Sequence, residues 1–217
     1  MPLITSLEPE PGRGACFLLE VDGEAVGRVP PDVVASHGLT QGRVLSPETV
    51  SRVVMEAARS IGLEAALRYL SYRPRTRSEV MRHLISRGHG IVAERVVERC
   101  RELGYLDDAT YSVAFARERI RLKPRGRARI VSELLKRGVD RGTAENAVAV
   151  ALAEEEVTET DLLHAVAQRR ASSLGRLDPA TARRRLYAYL IRRGFLGNEV
   201  QVAVDRVLPE ESSPASS

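Results

Sequence analysis

The sequence predicts a mainly α-helical protein built of tandem three-helix repeats of the helix-turn-helix type in an elongated array, with a small N-terminal β-element. Aromatic residues make up only 4% of the 217 residues, which favours a core of Leu, Val and Ala side chains between helices. Apolar residues recur at helical spacing after residue 46. A motif of two apolar residues, two polar residues and a glycine occurs three times, ending at Gly88, Gly138 and Gly194.

The first 45 residues differ from the rest of the chain. Two β-prone runs, Ala15 to Val21 and Glu24 to Val29, flank Asp22-Gly23, a dipeptide that favours a two-residue hairpin turn. Pro31 is expected to open a short helix that ends at Gly38. We therefore predict a β-hairpin-containing extension over residues 1–45 that packs on the next part of the chain, since it is too short for a core of its own.

A connector helix is predicted over residues 46–62. Ser46-Pro47 is a typical helix start, with a hydroxyl at the N-cap and proline in the first turn. Gly62 is expected to break or bend this helix before the helical pattern resumes.

Gly12-Arg13-Gly14, although rich in glycine, is interpreted as a loop and not as a phosphate cradle, because no P-loop lysine follows it.

Three repeats are predicted after the connector, each with a first, a middle and a third helix. The glycine of each motif is interpreted as a left-handed C-cap that closes the middle helix. Capping residues support the middle helices: Thr76 to Glu79 form a capping box, and Asp178-Pro179 starts the middle helix of the last repeat. The predicted ranges are 63–106 for repeat 1, 107–155 for repeat 2 and 156–208 for repeat 3, followed by a disordered tail over 209–217.

The first helix of repeat 2 is expected to place Tyr111, Ala114, Phe115 and Leu122 on one face, with Arg117 and Arg121 on another. The aromatic residues of that face are assigned to the core. Asp107 and Asp108 precede this helix, and capping explains them better than a metal or acid-base role. The acidic run Glu154 to Glu156 is interpreted as a solvated linker between repeats, with an acidic patch for a basic partner as the alternative.

Positive charge is concentrated in the repeats. Residues 1–65 have a net charge of −4 and residues 66–217 a net charge of +8, with Lys123 and Lys136 the only lysines. Guanidinium groups suit bidentate phosphate contacts. Each repeat has a basic cluster, which indicates a polyanion or acidic protein partner that meets successive repeats; an ordinary solvated face is the alternative. The predicted contact residues are Arg73, Arg75 and Arg77 in repeat 1; Arg117, Arg121, Lys123, Arg125, Arg127 and Arg129 in repeat 2; and Arg183, Arg184, Arg192 and Arg193, beside Arg169 and Arg170, in repeat 3.

Other classes of protein fit the sequence poorly. Cys16 and Cys100 are isolated and the four histidines lack ligand spacing, so neither a disulfide framework nor a metal site is predicted. No apolar run approaches the roughly 20 residues that a membrane-spanning helix needs. No catalytic triad or carboxylate dyad is recognisable. We expect a cytosolic binding protein without cofactor, not an enzyme.

Several spaced motifs resemble those of the RecX family. They are Gly104-Tyr105-Leu106-Asp107-Asp108 with Tyr111, the run from Arg119 to Gly138, and Arg193-Gly194-Phe195. The resemblance covers roughly residues 60–208, and Ile4 to Glu8 with the Asp22-Gly23 hairpin resembles the β-extension of some members. It implies a bacterial protein, expected to be a monomer, that binds the filament of the RecA recombinase on single-stranded DNA and inhibits its ATPase and strand exchange. It also implies that some members bind DNA, which makes double-stranded DNA a further candidate partner. The alternative is a sequence-specific helix-turn-helix DNA-binding regulator.

Overall fold

A computed structural model describes residues 1–10 and 16–209. Within these residues there are three β-strands and ten α-helices, which confirms the predicted mainly helical architecture with a small N-terminal β-element. The described chain divides into two compact units, one ending at Leu106 and the other beginning at Asp107. Gly12-Arg13-Gly14, Ala15 and residues 210–217 of the predicted tail lie outside the described residues.

The N-terminal sheet has three antiparallel strands in the order β1 (Ile4–Pro9), β2 (Phe17–Val21) and β3 (Glu24–Val29). The predicted hairpin joins β2 to β3: Asp22 and Gly23 have φ angles of 54° and 82°, as a primed turn requires. One face of the sheet buries Ile4, Leu19 and Val29 against the following helices. Because most of that apolar surface is covered by helices and not by a second sheet, the strands do not form an independent domain.

Helix α1 (Pro31–His37) ends at Gly38 as predicted, and α2 (Pro47–Leu70) begins at the Ser46 cap. The expected break at Gly62 does not occur: one 24-residue helix replaces the separate connector and first helix of repeat 1. A Cβ at Gly62 would lie 3.2 Å and 3.3 Å from the side chains of Val96 and Val92. Gly62 therefore permits close packing between helices, and this packing outweighs the helix propensity cost of about 1 kcal/mol.

The three repeats follow the predicted order. Repeat 1 combines the end of α2 with α3 (Arg77–Ser86) and α4 (Ala93–Glu102), with a short 3-10 helix at Gly90–Val92. Repeat 2 comprises α5 (Asp108–Arg121), α6 (Arg127–Lys136) and α7 (Arg141–Glu154), and repeat 3 comprises α8 (Glu159–Ala171), α9 (Pro179–Arg192) and α10 (Asn198–Val207). Repeats 2 and 3 share one continuous core, with Phe115, Leu134 and Leu163 among its members.

The core face of α5 differs from the expected one. Ser112, Phe115, Ala116 and Ile120 are the buried residues of the helix. Ala114 is exposed, and Leu122 lies beyond the last helical turn with 73% of its surface exposed. The predicted shared face was wrong for these two residues: Ala114 lies outside the buried face of the helix, and the helix ends at Arg121, before residue 122.

Each middle helix closes with the same Schellman motif. The repeat glycines have φ angles of 85°, 83° and 88°, a left-handed conformation that residues with a Cβ seldom adopt. In repeat 3 the Phe195 N–H donates to the C=O of Leu190 at 3.2 Å and the Gly194 N–H donates to the C=O of Ile191 at 2.9 Å. Equivalent bonds close α3 and α6. The predicted left-handed C-caps are therefore confirmed in all three repeats.

Two glycines bring repeats 2 and 3 into backbone contact. The N–H of Gly126, the N-cap of α6, donates to the C=O of Arg193 at the end of α9, at 2.9 Å. A Cβ on Gly126 would lie 2.3 Å from the carbonyl oxygen of Gly194. The positive end of one helix dipole thus meets the negative end of another.

The capping box of α3 should contribute measurably to stability. Thr76 is fully buried; its hydroxyl accepts from the Glu79 N–H at 3.2 Å, and the Glu79 carboxylate accepts from the Thr76 N–H at 3.1 Å. We expect Thr76→Val, which keeps the shape but removes the acceptor, to lower the free energy of unfolding by about 1–2 kcal/mol in chemical denaturation. Thr76→Ser should retain most of the stability. A Val variant as stable as the wild type would contradict this role.

Candidate functional site

The predicted basic residues of repeat 1 lie at the turn between α2 and α3. Arg73 contacts the Glu79 carboxylate at 3.0 Å and donates to the C=O of Pro74 at 3.0 Å. Arg77 forms an ion pair with Glu94 of α4. Both arginine side chains are about half exposed, and Glu94 is 70% exposed, so the pair of Arg77 with Glu94 contributes about 0–1 kcal/mol. An external phosphate or carboxylate can therefore replace Glu94 at small energetic cost.

Arg75 is held by ring packing. Its guanidinium carbon lies 4.0 Å from the centre of the Tyr69 ring, which stacks on His83 with 3.9 Å between ring centres. Burial lowers the pKa of His83, and the charges of Arg87 and Arg75 lower it further. The imidazole in this stack is therefore neutral at neutral pH, which leaves Arg75 as the charged group of the stack.

Glu133 holds the arginines at the turn between α5 and α6. Its carboxylate accepts from Arg119 and Arg129 at 3.0 Å each and lies 3.5 Å from Arg125. Burial raises the pKa of Glu133, but the hydrogen bonds from Arg119 and Arg129 and the charges of Arg125 and Arg119 outweigh it, so the pKa lies below its ordinary value of 4.5. One ionised carboxylate thus contacts three guanidinium groups, of which Arg119 also pairs with Glu118 at 2.8 Å.

The outer arginines of α5 are paired with the end of α7. Arg117 contacts Glu154 at 3.3 Å and Glu155 at 3.0 Å, and Arg121 contacts Glu155. The hydrogen bond from Arg121 lowers the pKa of Glu155, and the same bond raises the pKa of Arg121. The interpretation of the acidic run as a solvated linker was wrong for Glu155, because this C-cap residue of α7 is only 10% exposed and its carboxylate bonds to two arginines of α5. Glu154 and Glu156 are exposed.

Helix α9 carries arginines of two kinds. Arg183 forms an ion pair with Asp205 and donates to the C=O of Leu208, and it is largely buried. Arg184 and Arg192 are exposed, and no described carboxylate lies within ion-pair distance of either. These two side chains are therefore available to an external partner without displacing an internal one.

Arg193, Lys123, Arg169 and Arg170 converge on a cleft in the second unit, which we name the basic cleft. Its volume is about 410 Å³, and its lining residues are Leu122, Lys123, Pro124, Val166, Arg169, Arg170, Ser173, Tyr189 and Arg193. Arg170 and Arg193 lie 5.1 Å and 4.9 Å from the centre of the Tyr189 ring. The Arg193 guanidinium also donates to the C=O of Pro124 at 3.1 Å. Four cationic side chains thus share one concave surface.

Arg127 lies on a second groove of mixed charge. This groove has a volume of about 500 Å³ and includes Arg127, Arg141, Glu145, Glu159 and Glu199 in its lining. The backbone N–H of Arg127 donates to the Glu159 carboxylate at 2.9 Å. Since carboxylates here match the arginines, this groove lacks the uncompensated positive charge of the basic cleft.

The thirteen predicted residues therefore fall into three groups. The residues with a carboxylate partner are Arg73, Arg77, Arg117, Arg121, Arg125, Arg129 and Arg183. Arg75 and Arg193 pack on aromatic rings. Lys123, Arg127, Arg184 and Arg192 have no ion-pair partner within the described part of the chain. Sequence reasoning did not identify Glu133, Glu155 or Tyr189 as the residues that hold the arginines.

The structure offers few features typical of other classes of site. In the described ranges 1–10 and 16–209, no three His, Cys, Asp or Glu side chains converge as metal ligands. None of the helices in those ranges is long and apolar enough to cross a membrane. Asp107 caps α5, as predicted, by accepting from the N–H groups of Ala109 and Thr110. Hydrogen bonds from Thr110 lower the pKa of Asp107 and outweigh the opposing effect of burial.

Comparison with protein families matches each predicted repeat to a RecX domain. The model of the RecX first three-helix domain matches residues 63–100, that of the second matches residues 107–148, and that of the third matches residues 158–204. Together these matches cover more than half of the chain.

Individual relatives agree. A regulatory protein RecX of Lactobacillus delbrueckii subsp. bulgaricus is 30% identical over 97% of this chain and 76% of its own length, and one of Pelodictyon phaeoclathratiforme is 34% identical over 64% of this chain and 84% of its own. A crystal structure of regulatory protein RecX has the same fold, with a TM-score of 0.69 at 18% identity over 94% of this chain and all of that one. RecX from Lactobacillus salivarius matches with a TM-score of 0.61 at 23% identity over 69% of this chain and 96% of that one. The chain belongs to the RecX family of regulatory proteins.

Proposed function

We propose that this protein binds the filament that RecA forms on DNA and inhibits its ATPase and strand-exchange activity. The observation that carries the proposal is the match of three successive RecX domains between residues 63 and 204. From membership in the RecX family of regulatory proteins we infer that RecA is the protein that is regulated. The protein acts by binding and not by catalysis, in the cytosol where the recombinase works.

The distribution of arginine supports a partner that is long and negatively charged. Each repeat exposes basic side chains, among them Arg77 in repeat 1, Arg121 in repeat 2 and Arg184 in repeat 3. Contacts of this kind are individually weak. Linked in one chain, they reinforce one another, because binding of one repeat raises the effective concentration of the next at a regularly repeating target.

Inhibition follows from occupancy of such a target. A chain that contacts several RecA subunits or the DNA between them opposes the subunit motions that accompany ATP turnover, and it competes with a second DNA strand. Binding shifts the equilibrium between active and inactive arrangements of the filament only to the extent that this protein binds the inactive arrangement more tightly.

The first test is ATP hydrolysis by RecA on single-stranded DNA. We expect hydrolysis to fall in a saturable manner as this protein is added. The double variant Arg184→Gln with Arg192→Gln removes two exposed charges that have no internal partner in the described part of the chain, and it should require a roughly fivefold higher concentration for the same inhibition. Arg141→Gln, a matched exposed change at a residue paired with Glu145, should inhibit like the wild type.

Two outcomes would reject the proposal. One is no inhibition at any concentration of the added protein. The other is strong preference for one duplex sequence in a gel-shift assay without recombinase, which would favour the sequence-specific helix-turn-helix regulator. Weak, salt-sensitive binding that is indifferent to sequence agrees with the filament regulator.

A further inference from the structure

We propose that the basic cleft binds the phosphates of one nucleic-acid strand. The inference rests on the proposed function, since it assigns the DNA of the filament to a defined place on the protein. It concerns Lys123 from the turn between α5 and α6, Arg169 and Arg170 from α8, and Arg193 from the end of α9.

The first argument is uncompensated charge. The lining of the basic cleft contains four cations and no carboxylate, and none of the four is ion-paired within the described residues. Around Glu133 and Glu155, by contrast, arginines are matched by carboxylates of the same chain. Like charges that converge without counter-charge repel one another, so the cleft is an arrangement that a bound polyanion stabilises.

The second argument is preorganisation. Arg170 and Arg193 both pack on the Tyr189 ring, and Arg193 is further fixed by its bond to the C=O of Pro124. A guanidinium group held in place loses less freedom when it donates to phosphate oxygens in a bidentate manner. The Nε–H of Arg170 is buried and has no hydrogen-bond partner within the described residues, so the terminal nitrogens of this guanidinium are the donors that face a ligand.

The third argument concerns the shape of the ligand. The cleft is concave, its lining includes the apolar side chains of Leu122, Pro124 and Val166, and Leu122 is 73% exposed. Alternating phosphates and apolar sugar surfaces in a nucleic-acid strand match such a mixture of cations and apolar groups. A single strand can bend into a concave surface, whereas a duplex is stiff over about 150 base pairs and presents its phosphates on a convex cylinder.

The test measures binding of a short fluorescent oligo-deoxythymidine by the full-length protein without recombinase, as a function of salt. Each phosphate contact contributes about 0.7 to the slope of log K against log salt concentration for single strands. Lys123→Gln and Arg169→Gln change exposed residues, and each should reduce the magnitude of the slope by about 0.7 and weaken binding roughly tenfold. Arg141→Gln, in the same unit but outside the cleft, should leave the slope unchanged.

The outcomes separate this inference from the proposed function. Unchanged slopes in both cleft variants, or an equal decrease in Arg141→Gln, would overturn the cleft assignment even if the wild type inhibits RecA. Equal sensitivity of a duplex of the same sequence to the cleft variants would overturn the single-strand assignment. The assignment would also be overturned if inorganic triphosphate, at matched ionic strength, displaced the oligonucleotide and bound as tightly as the oligonucleotide does. Failure of the wild type to inhibit RecA, while the cleft variants still weaken binding of the single strand, would reject only the filament function.

Discussion

Gly126→Ala is expected to lower the free energy of unfolding of the second unit by about 3 kcal/mol, the upper end for overpacking of a well-packed contact. The added Cβ would lie 2.3 Å, 2.4 Å and 2.5 Å from backbone atoms of Gly194 and Phe195, distances that no side-chain rotation can relieve. Helix α6 would have to move away from the end of α9. That movement also breaks the bond from the Gly126 N–H to the C=O of Arg193. Thermal and chemical denaturation measure the loss.

Gly142→Ala is the matched control. Gly142 lies in the first turn of α7, and a Cβ there would meet only an oxygen of Asp140 at 3.4 Å, an ordinary contact. Alanine in that helix should leave stability unchanged or raise it by about 0.5–1 kcal/mol.

A second pair of variants separates crowding from backbone strain: Gly88 and Gly194 share the left-handed conformation, but only Gly194 is crowded. If Gly88→Ala and Gly194→Ala lowered the free energy of unfolding equally, the close approach of repeats 2 and 3 would not contribute to stability.

The same approach of the repeats positions the basic cleft. Lys123 and Pro124 come from the turn that ends at Gly126, whereas Arg193 directly precedes Gly194. The backbone contact between these glycines therefore fixes the distance between the walls of the cleft. A variant that separates the repeats should lose cleft-dependent DNA binding together with stability, so cleft variants must be chosen among the exposed residues that do not touch this contact.

Local signals in the sequence predicted most of the fold. The helix starts at Ser46 and Thr76 and the Schellman glycines were predictable, because each depends on residues within about one turn of helix. Gly62 shows the limit of such reasoning. A glycine within a helical pattern indicates a break by propensity alone, and only the packing of Val92 and Val96 against it explains why α2 continues.

The site was less predictable than the fold. Charge along the chain marked the basic residues, but their partners depend on contacts between distant segments, such as the 38 residues that separate Arg117 from Glu155. Glu133 is an exception, since Arg129 lies four residues before it on the same helix face. Convergence of α8, α9 and the turn after α5 on the basic cleft had no local signal, because it results from the packing of two repeats.

Glu133→Gln is expected to lower the free energy of unfolding by about 2 kcal/mol at neutral pH. This lies between the effect of an exposed ion pair and that of removing one member of a buried pair. The carboxylate is only 18% exposed, and its loss leaves Arg125 and Arg129 without this counter-charge. Arg119 then retains only its pair with the exposed Glu118, at 2.8 Å. Glutamine keeps the size of the side chain, so the measured difference in denaturation reports charge and not packing.

The dependence on pH identifies the cause of that loss. Because the folded-state pKa of Glu133 is lowered, its carboxylate contributes stability that is fully present above its ordinary pKa of 4.5 and is lost as the pH falls through the lower folded-state value. The difference between wild type and Glu133→Gln should therefore be constant above about pH 5.5 and decrease towards zero in acid. Glu145→Gln, which removes an exposed partner of Arg141, should change stability by less than about 0.5 kcal/mol at every pH. A Glu133→Gln difference that persists unchanged in acid would instead assign the loss to altered packing and would remove Glu133 as the counter-charge of the three arginines.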